Sequence, residues 1–310
     1  MNIIFFGSDD FALAHLEELI SSRYKVLACV TQPGKAKGRG LKLMISPIKE
    51  FALKNNITVL QPENLKESNF VNQLRGFAPD LFVVIAYGKF LPTSILEIPK
   101  NFAVNVHASL LPRYRGAAPI NWAIIHGEKE TGITLFKINQ AMDAGEIISQ
   151  KKIIIDEEDN AISLRGKMKK LGKGLLLKTI ESIERKQFTL KPQDEHKVSF
   201  APKLTKQLGC IDWQKSARHI HNLVRGLIPW PMAYTFLRGR SLKILSTQVV
   251  EEQFANFAPG QIAKMMPDGF VVATGEHGLL IKRIHLESSK EMDAHSFIQG
   301  HHLEVGSQLG

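Results

Sequence analysis

Over the first 155 residues, short β-branched or aromatic runs alternate with longer amphipathic segments. IIFF (3–6), KVLACVT (25–31), ITVL (57–60), LFVVIA (81–86), FAVNV (102–106), GITLFKI (132–138) and EIISQKKIII (146–155) predict strands. ALAHLEELISS (12–22) and SPIKEFALKNN (46–56) predict helices, the second with Ser46 at its cap and Pro47 at its first position. Strands alternating with helices imply a parallel α/β sheet, whose ligands bind beyond the carboxyl ends of the strands. Residues 161–187 predict one long helix, with Ile162, Met168, Leu171, Leu175, Ile180 and Ile183 apolar. Its lysines (Lys167, Lys169, Lys170, Lys173, Lys178) are expected on a solvated face. Residues 190–206 lack periodicity and are expected to link a domain at 1–189 to another at 207–310. In the second, a short helix around 216–225 precedes IPWP and the strand-like runs MAYTFL, SLKILSTQVV, GQIAKMM, GFVVAT and LLIKRIHL. Pro267-Asp268-Gly269 marks a hairpin between two of them, and the whole reads as a small β-barrel.

Composition narrows the class. At 44% hydrophobic and 23% charged residues, the 310-residue chain is a globular protein and not a disordered one. Its longest apolar stretch, LFVVIAY (81–87), falls short of the ~18 residues that a membrane span needs. The amino terminus reads as a strand and not as a secretion signal. Cys29 and Cys210 lie far apart, so neither a disulfide framework nor a Cys-based zinc site is expected, and a cytoplasmic location fits. The net charge of +10 admits either a polyanionic partner or a plain solubility surface. Position is more telling than total: residues 1–189 hold 26 basic against 19 acidic residues. Lys35, Lys37, Arg39, Lys42 and Lys49 fall within 31–49 without an acid among them.

The segment NVHASLLPRYRGAAPINWAI (105–124) follows a predicted buried strand, which sets Asn105 and His107 at its carboxyl end on one face. An Asn amide and an imidazole so placed can bind a developing oxyanion, or they can satisfy loop backbone. Asp143, in the small-residue loop NQAMDAGEII, can approach His107 from a neighbouring strand end and orient it, or be a simple turn former. No GxGxxG, phosphate loop or HExxH is present, so nucleotide-dependent and zinc-dependent chemistry are not expected. Trp213, Trp230 and Phe236 are expected to be packing aromatics, and His301-His302 no metal site.

NVHASLLPRYRGAAPI followed some thirty residues later by MDAGEI resembles the formyltetrahydrofolate-dependent formyltransferases. TQP…GRGLKLM…SPIK (31–49), VVIAYGKFLP (83–92), FAPKLTKQLGCIDW (200–213), VRGLIPWPMAY (224–234) and MDAHSFIQGHHLEVG (292–306) extend the likeness over nearly the whole chain. The resemblance implies a Rossmann-like, mostly parallel formyltransferase domain followed by a small OB-like β-barrel. It makes Asn105, His107 and Asp143 the catalytic trio, and Ser109, Leu110, Leu111 and Pro112 folate contacts. Gly88, Lys89, Phe90 and Leu91 become a wall of the pterin pocket. The implied co-substrate is 10-formyltetrahydrofolate without a metal, and the implied acceptor is initiator methionyl-tRNA, met by a monomer with Lys35, Lys37, Arg39 and Lys42 on its phosphates. A nucleotide-sugar acceptor and an inactive RNA-binding scaffold are the alternatives. Two departures stand out: Asp9 where the family has Pro, and no Asp after Pro33.

Overall fold

The computed structural model describes residues 1–34, 36–37, 42–43 and 45–310, with only the backbone of 36–37 and 42–43. Two compact units are present, and they interleave along the chain. One comprises Met1–Gly116, Thr131–Ile154 and Arg165–Phe200; the other comprises Ala117–Glu130, Ile155–Leu164 and Ala201–Gly310.

In chain order, the described strands of the first unit are β1 (Asn2–Gly7), β2 (Lys25–Val30), β3 (Ala36–Lys37), β4 (Lys42–Leu43), β5 (Thr58–Leu60), β6 (Leu81–Ile85), β7 (Ala103–His107), β8 (Arg115–Gly116), β9 (Glu130–Lys137) and β10 (Ile147–Ile154). Seven of them form one sheet in the order β10-β9-β7-β6-β1-β2-β5. The pairs from β7 through β6, β1 and β2 to β5 are parallel, as the alternation predicts. β6 is buried along its full length, which explains its unbroken apolar run. Phe6 and Phe82 meet at 5.0 Å between ring centres in the core beneath it.

Helix α1 (Asp10–Ile20) leaves β1 through Gly7, where a Cβ would come within 2.6 Å of the Ala12 Cβ. Asp9 caps it, accepting from the Ala12 N–H at 2.9 Å. Asp9 also pairs with Arg165, so the departure from Pro has a structural role of its own. Helix α2 (Pro47–Lys54) starts on Ser46 and Pro47 as predicted. Helices α3 (Ser68–Gly76) and α4 (Thr93–Leu96) complete the crossovers.

The second unit opens with α5 (Pro119–Ile125), whereas most of the long helix α6 (Ala161–Glu184) belongs to the first. The expected solvated lysine face of α6 needs correcting. Lys169 pairs with Asp10 and Lys173 with Glu18, so these two cations tie α6 to α1.

Beneath that contact His15 is buried, its Nδ1 donating to the Phe11 carbonyl at 2.7 Å and its Nε2 without a partner. A Cβ on Gly172 would collide with that nitrogen, so a glycine there lets α6 pack against the ring. Burial pushes the imidazole down to about 4; Lys173 acts in the same direction, against Asp9 and Glu18. A histidine depressed in the folded state keeps its contribution above its unfolded pKa and loses it as pH falls towards 4, a loss of about 3 kcal/mol. The melting temperature should therefore fall between pH 6.5 and 4, and His15→Gln should flatten that decline. An equally steep decline in the variant would place the acid sensitivity elsewhere.

After the short strand β11 (Phe200–Ala201) and helix α7 (Ala217–Leu227), the second unit carries β12 (Ala233–Leu237), β13 (Arg240–Val250), β14 (Ile262–Met266), β15 (Gly269–Ala273), β16 (Gly278–Leu286), β17 (Met292–Asp293) and helix α8 (Ala294–His301). The antiparallel sheet runs β12-β13-β16-β15-β14, with β17 on β16. β14 and β15 turn at Pro267-Asp268, as predicted. The sheet curls until residues 306–310 bridge its edges. Ser307 and Gly306 bond Ile262 on β14, and the Gly310 N–H reaches the Phe236 carbonyl on β12 at 3.0 Å. Periodicity gives no hint of that closing segment. Trp213 is buried as expected, but Trp230 and Phe236 are exposed, which corrects their assignment as packing aromatics.

Candidate active site

Asn105 and His107 alternate with buried Val104 and Val106 on β7, so both project from one face of the sheet. The half-buried Asn105 amide has no hydrogen-bond partner among the described residues and is available to a ligand. His107 is buried, and its Nε2 lies 2.9 Å from the Tyr114 carbonyl oxygen. A carbonyl can only accept, so Nε2 carries a hydrogen in either charge state, and proton exchange is left to Nδ1. That atom faces Asp143, whose Oδ2 is 3.6 Å away. Both readings of His107 hold at once, because one nitrogen satisfies loop backbone and the other faces a carboxylate.

Asp143 does not arrive as the parallel pattern suggested. β9 runs antiparallel to β7, pairing Val104 with Lys137 and His107 with Thr134, so the loop after β9 starts beside the beginning of β7. The chain doubles back to bring Asp143 to His107. Asp143 sits in the left-handed region at φ +50°, and the Gly116 N–H donates to its Oδ2 at 2.8 Å. Gly145 lets the loop press on the β9 backbone, since a Cβ there would collide with the Lys137 carbonyl. Tyr114 (φ +64°) and Gly116 (φ +123°) thus hold the two partners, Tyr114 through its carbonyl and Gly116 through its amide.

Of the Ser109–Pro112 run, Ser109 and Leu111 are buried and committed to the fold. The Ser109 hydroxyl donates to the Arg113 carbonyl at 2.6 Å. The Thr134 hydroxyl donates to the Ser109 carbonyl and accepts from the Leu111 N–H. Gln150 donates to the Leu111 carbonyl at 2.8 Å, so the run is clamped from two strands. Leu110 and Pro112 are partly exposed and are the members able to touch a ligand.

Lys89, Phe90 and Leu91 line a cavity of 640 Å³ together with residues 63–66, Pro92, Thr93 and Gln140. Gly88 stands just outside it at φ +76°. Lys89 Nζ holds the opposite wall by donating to the Glu63 carbonyl at 2.8 Å, and Phe90 is 69% exposed. Asn105, His107 and Asp143 do not line this cavity. Gln140 connects the two places, lining it from the loop that also bears Asp143. Among the described residues, no group of three His, Cys, Asp or Glu side chains could hold a metal ion, and no helix is long and apolar enough to cross a membrane.

Of the expected phosphate contacts, Lys35 and Arg39 lie outside the described residues. Lys37 and Lys42 are described as backbone only, paired across β3 and β4. Lys49 donates to Gln61, whose amide in turn donates to the Gln32 carbonyl. The residues that hold the site together, Tyr114, Arg115, Gly116, Thr134, Gln150 and Gln193, carry no role that the sequence alone assigns. The YRG motif is the one available signal for three of them.

The formyl transferase family matches residues 1–180, and its C-terminal domain matches residues 203–302. The chain is 47% identical over 310 residues to methionyl-tRNA formyltransferase of Acetivibrio thermocellus, and 43% identical to that of Clostridioides difficile, covering all of both chains in each case. Among solved structures it resembles the sugar 3N-formyl transferase WlaRD, crystallised in the presence of dTDP and 5-N-formyl-THF. There the TM-score is 0.69 at 20% identity, over 94% of this chain and 99% of that one. It also resembles HypX from Aquifex aeolicus in complex with tetrahydrofolic acid, with a TM-score of 0.65 at 16% identity, over 96% of this chain and 46% of that one. At those identities the likeness concerns the fold.

Proposed function

Because this chain belongs to the formyl transferase family, among the methionyl-tRNA formyltransferases, we propose that it moves the formyl group of 10-formyltetrahydrofolate onto the α-amino group of methionine on initiator methionyl-tRNA. The observation that carries this reading is the pairing of His107 with Asp143 beside the unpartnered Asn105 amide.

An α-amine has a reference pKa of about 8, so an appreciable fraction is neutral at pH 7 and needs no strong base. The lone pair attacks the formyl carbon, a C–N bond forms, and the carbonyl π pair moves to oxygen. Asn105 is suited to hold that oxyanion by its side-chain N–H. The attacking nitrogen loses a proton towards Asp143 and the Nδ1 of His107. The tetrahedral intermediate then collapses as its bond to folate N10 breaks, and N10 takes a proton from the same pair. The proton count closes without any other co-reactant.

The cavity beside Phe90 suits the flat ring of the folate, with Gly88, Lys89, Phe90 and Leu91 as one wall. Leu110 and Pro112, the partly exposed members of their run, are assigned as further folate contacts, and Ser109 and Leu111 shape the turn that presents them. We assign formyl transfer to residues 1–189, joined through 190–206 to a β-rich part at 207–310 that also meets tRNA. The acceptor belongs to translation, so the cytoplasm is the assigned place of action. A monomer suffices because one chain supplies the whole trio.

Lys35, Lys37, Arg39 and Lys42 are assigned to phosphates of the acceptor stem. Arg39→Ala should raise KM for charged tRNA several-fold and flatten the dependence of log kcat/KM on log salt by about 0.7–1. Folate affinity should stay unchanged; unaltered tRNA kinetics at physiological salt would remove Arg39 from the interface. The reading as a whole is tested by offering three acceptors: charged initiator tRNA, charged elongator tRNA and a nucleotide-linked amino sugar. Initiator tRNA should be strongly preferred, and comparable kcat/KM on the sugar would overturn the proposal.

A further inference from the structure

Gln193 lies in the aperiodic stretch that reads as a linker, yet each hydrogen-bonding position of its amide is occupied. Its Nε2 donates to the carbonyls of Asp143 and Gly145, both at 2.8 Å. Its Oε1 accepts from Arg115, from Nε at 3.0 Å and from Nη2 at 2.8 Å. The amide can sit only one way round. Turned over, it would set an oxygen against two carbonyls and an NH2 against a guanidinium. Arg115 is itself buried, and two further N–H groups of its guanidinium reach Glu195, which is exposed.

We propose that Gln193 is a positioning residue for formyl transfer, fixing the backbone of the Asp143 loop so that the carboxylate stays on the Nδ1 side of His107. This rests on the catalytic reading of Asn105, His107 and Asp143. Asp143 is a non-glycine residue at φ +50°, a conformation that costs free energy and persists only where its surroundings enforce it. Two restraints enforce it. Gly116 N–H grips the carboxylate, and Gln193 grips the main-chain carbonyls on either side of Ala144. Both lead back to the Arg115-Gly116 step, and the Tyr114 carbonyl just before it holds the His107 ring. The loop can therefore shift relative to His107 only if the Gln193 amide lets go.

Gln193→Glu separates this role from simple support of Arg115. A carboxylate keeps the acceptor for the guanidinium but has no N–H for the Asp143 and Gly145 carbonyls. The expected result is a kcat lower by about tenfold to a hundredfold, as for a misplaced catalytic group, with both KM values within about twofold. On an Asp143→Asn background the same substitution should lower the residual kcat by less than about twofold, because the group it positions has already lost its function. Wild-type kcat in Gln193→Glu overturns the proposal. So does an equal loss on both backgrounds, which would mean general damage to the fold. His107→Ala, measured alongside, distinguishes the two levels. Near-normal turnover there overturns the catalytic reading and the positioning role with it, whereas an inactive His107→Ala beside a fully active Gln193→Glu overturns the positioning role alone.

Discussion

Replacing His107 with alanine should lower kcat for formyl transfer by about 10²- to 10⁴-fold, the range for loss of a positioned proton-transfer group. Nε2 is engaged by the Tyr114 carbonyl and Nδ1 faces Asp143, so no second imidazole edge exists to take over. The substitution also leaves the Tyr114 carbonyl without its donor at a buried place, which should cost about 1–3 kcal/mol of stability. Activity must therefore be measured well below the shifted melting temperature. His107→Gln controls for this, since its amide can still donate towards Tyr114 but cannot shuttle a proton. It should recover stability without recovering turnover. A glutamine variant within about tenfold of wild-type kcat would make His107 a structural residue and end the proton-transfer assignment.

The parts of this site that a sequence reveals are those set by local periodicity. A strand's two-residue repeat puts Asn105 and His107 on one face, and a buried apolar run marks β6 as central. What stays hidden depends on partners far along the chain. Gly116 meets Asp143 across 27 residues, and Arg115 meets Gln193 across 78, with no pattern in either segment to announce it. The direction of β9 is hidden for a related reason. Hydrophobic runs locate a strand but do not say which way it enters the sheet, and here the antiparallel entry makes the Asp143 loop double back. A charge on a helix usually faces solvent, which is why Lys169 and Lys173 read as solvated; only the packing of α1 supplies their acids. Trp230 fails in the opposite sense, since its size suggests packing and the fold leaves it exposed.

Asp143→Asn isolates charge from geometry better than any deletion. The amide has nearly the same volume, and its oxygen can go on accepting from the Gly116 N–H, so the loop should hold its course. What is lost is the negative charge 3.6 Å from Nδ1, the group that in the proposed mechanism receives the proton leaving the attacking amine. That charge matters most when the amine nitrogen is losing its proton, which is a transition-state property. kcat and kcat/KM should therefore fall together, by about 10²- to 10³-fold, with KM for either substrate nearly constant. A loss confined to KM would instead make Asp143 a ground-state binding residue and require another acceptor for the amine proton. If the introduced amide instead turned its NH2 group towards Gly116, that N–H would lose its acceptor and the melting temperature would fall with the activity. Measuring both in one preparation separates these cases, and a wild-type melting temperature with kcat reduced by about a hundredfold or more is the result that assigns the carboxylate its part in proton transfer.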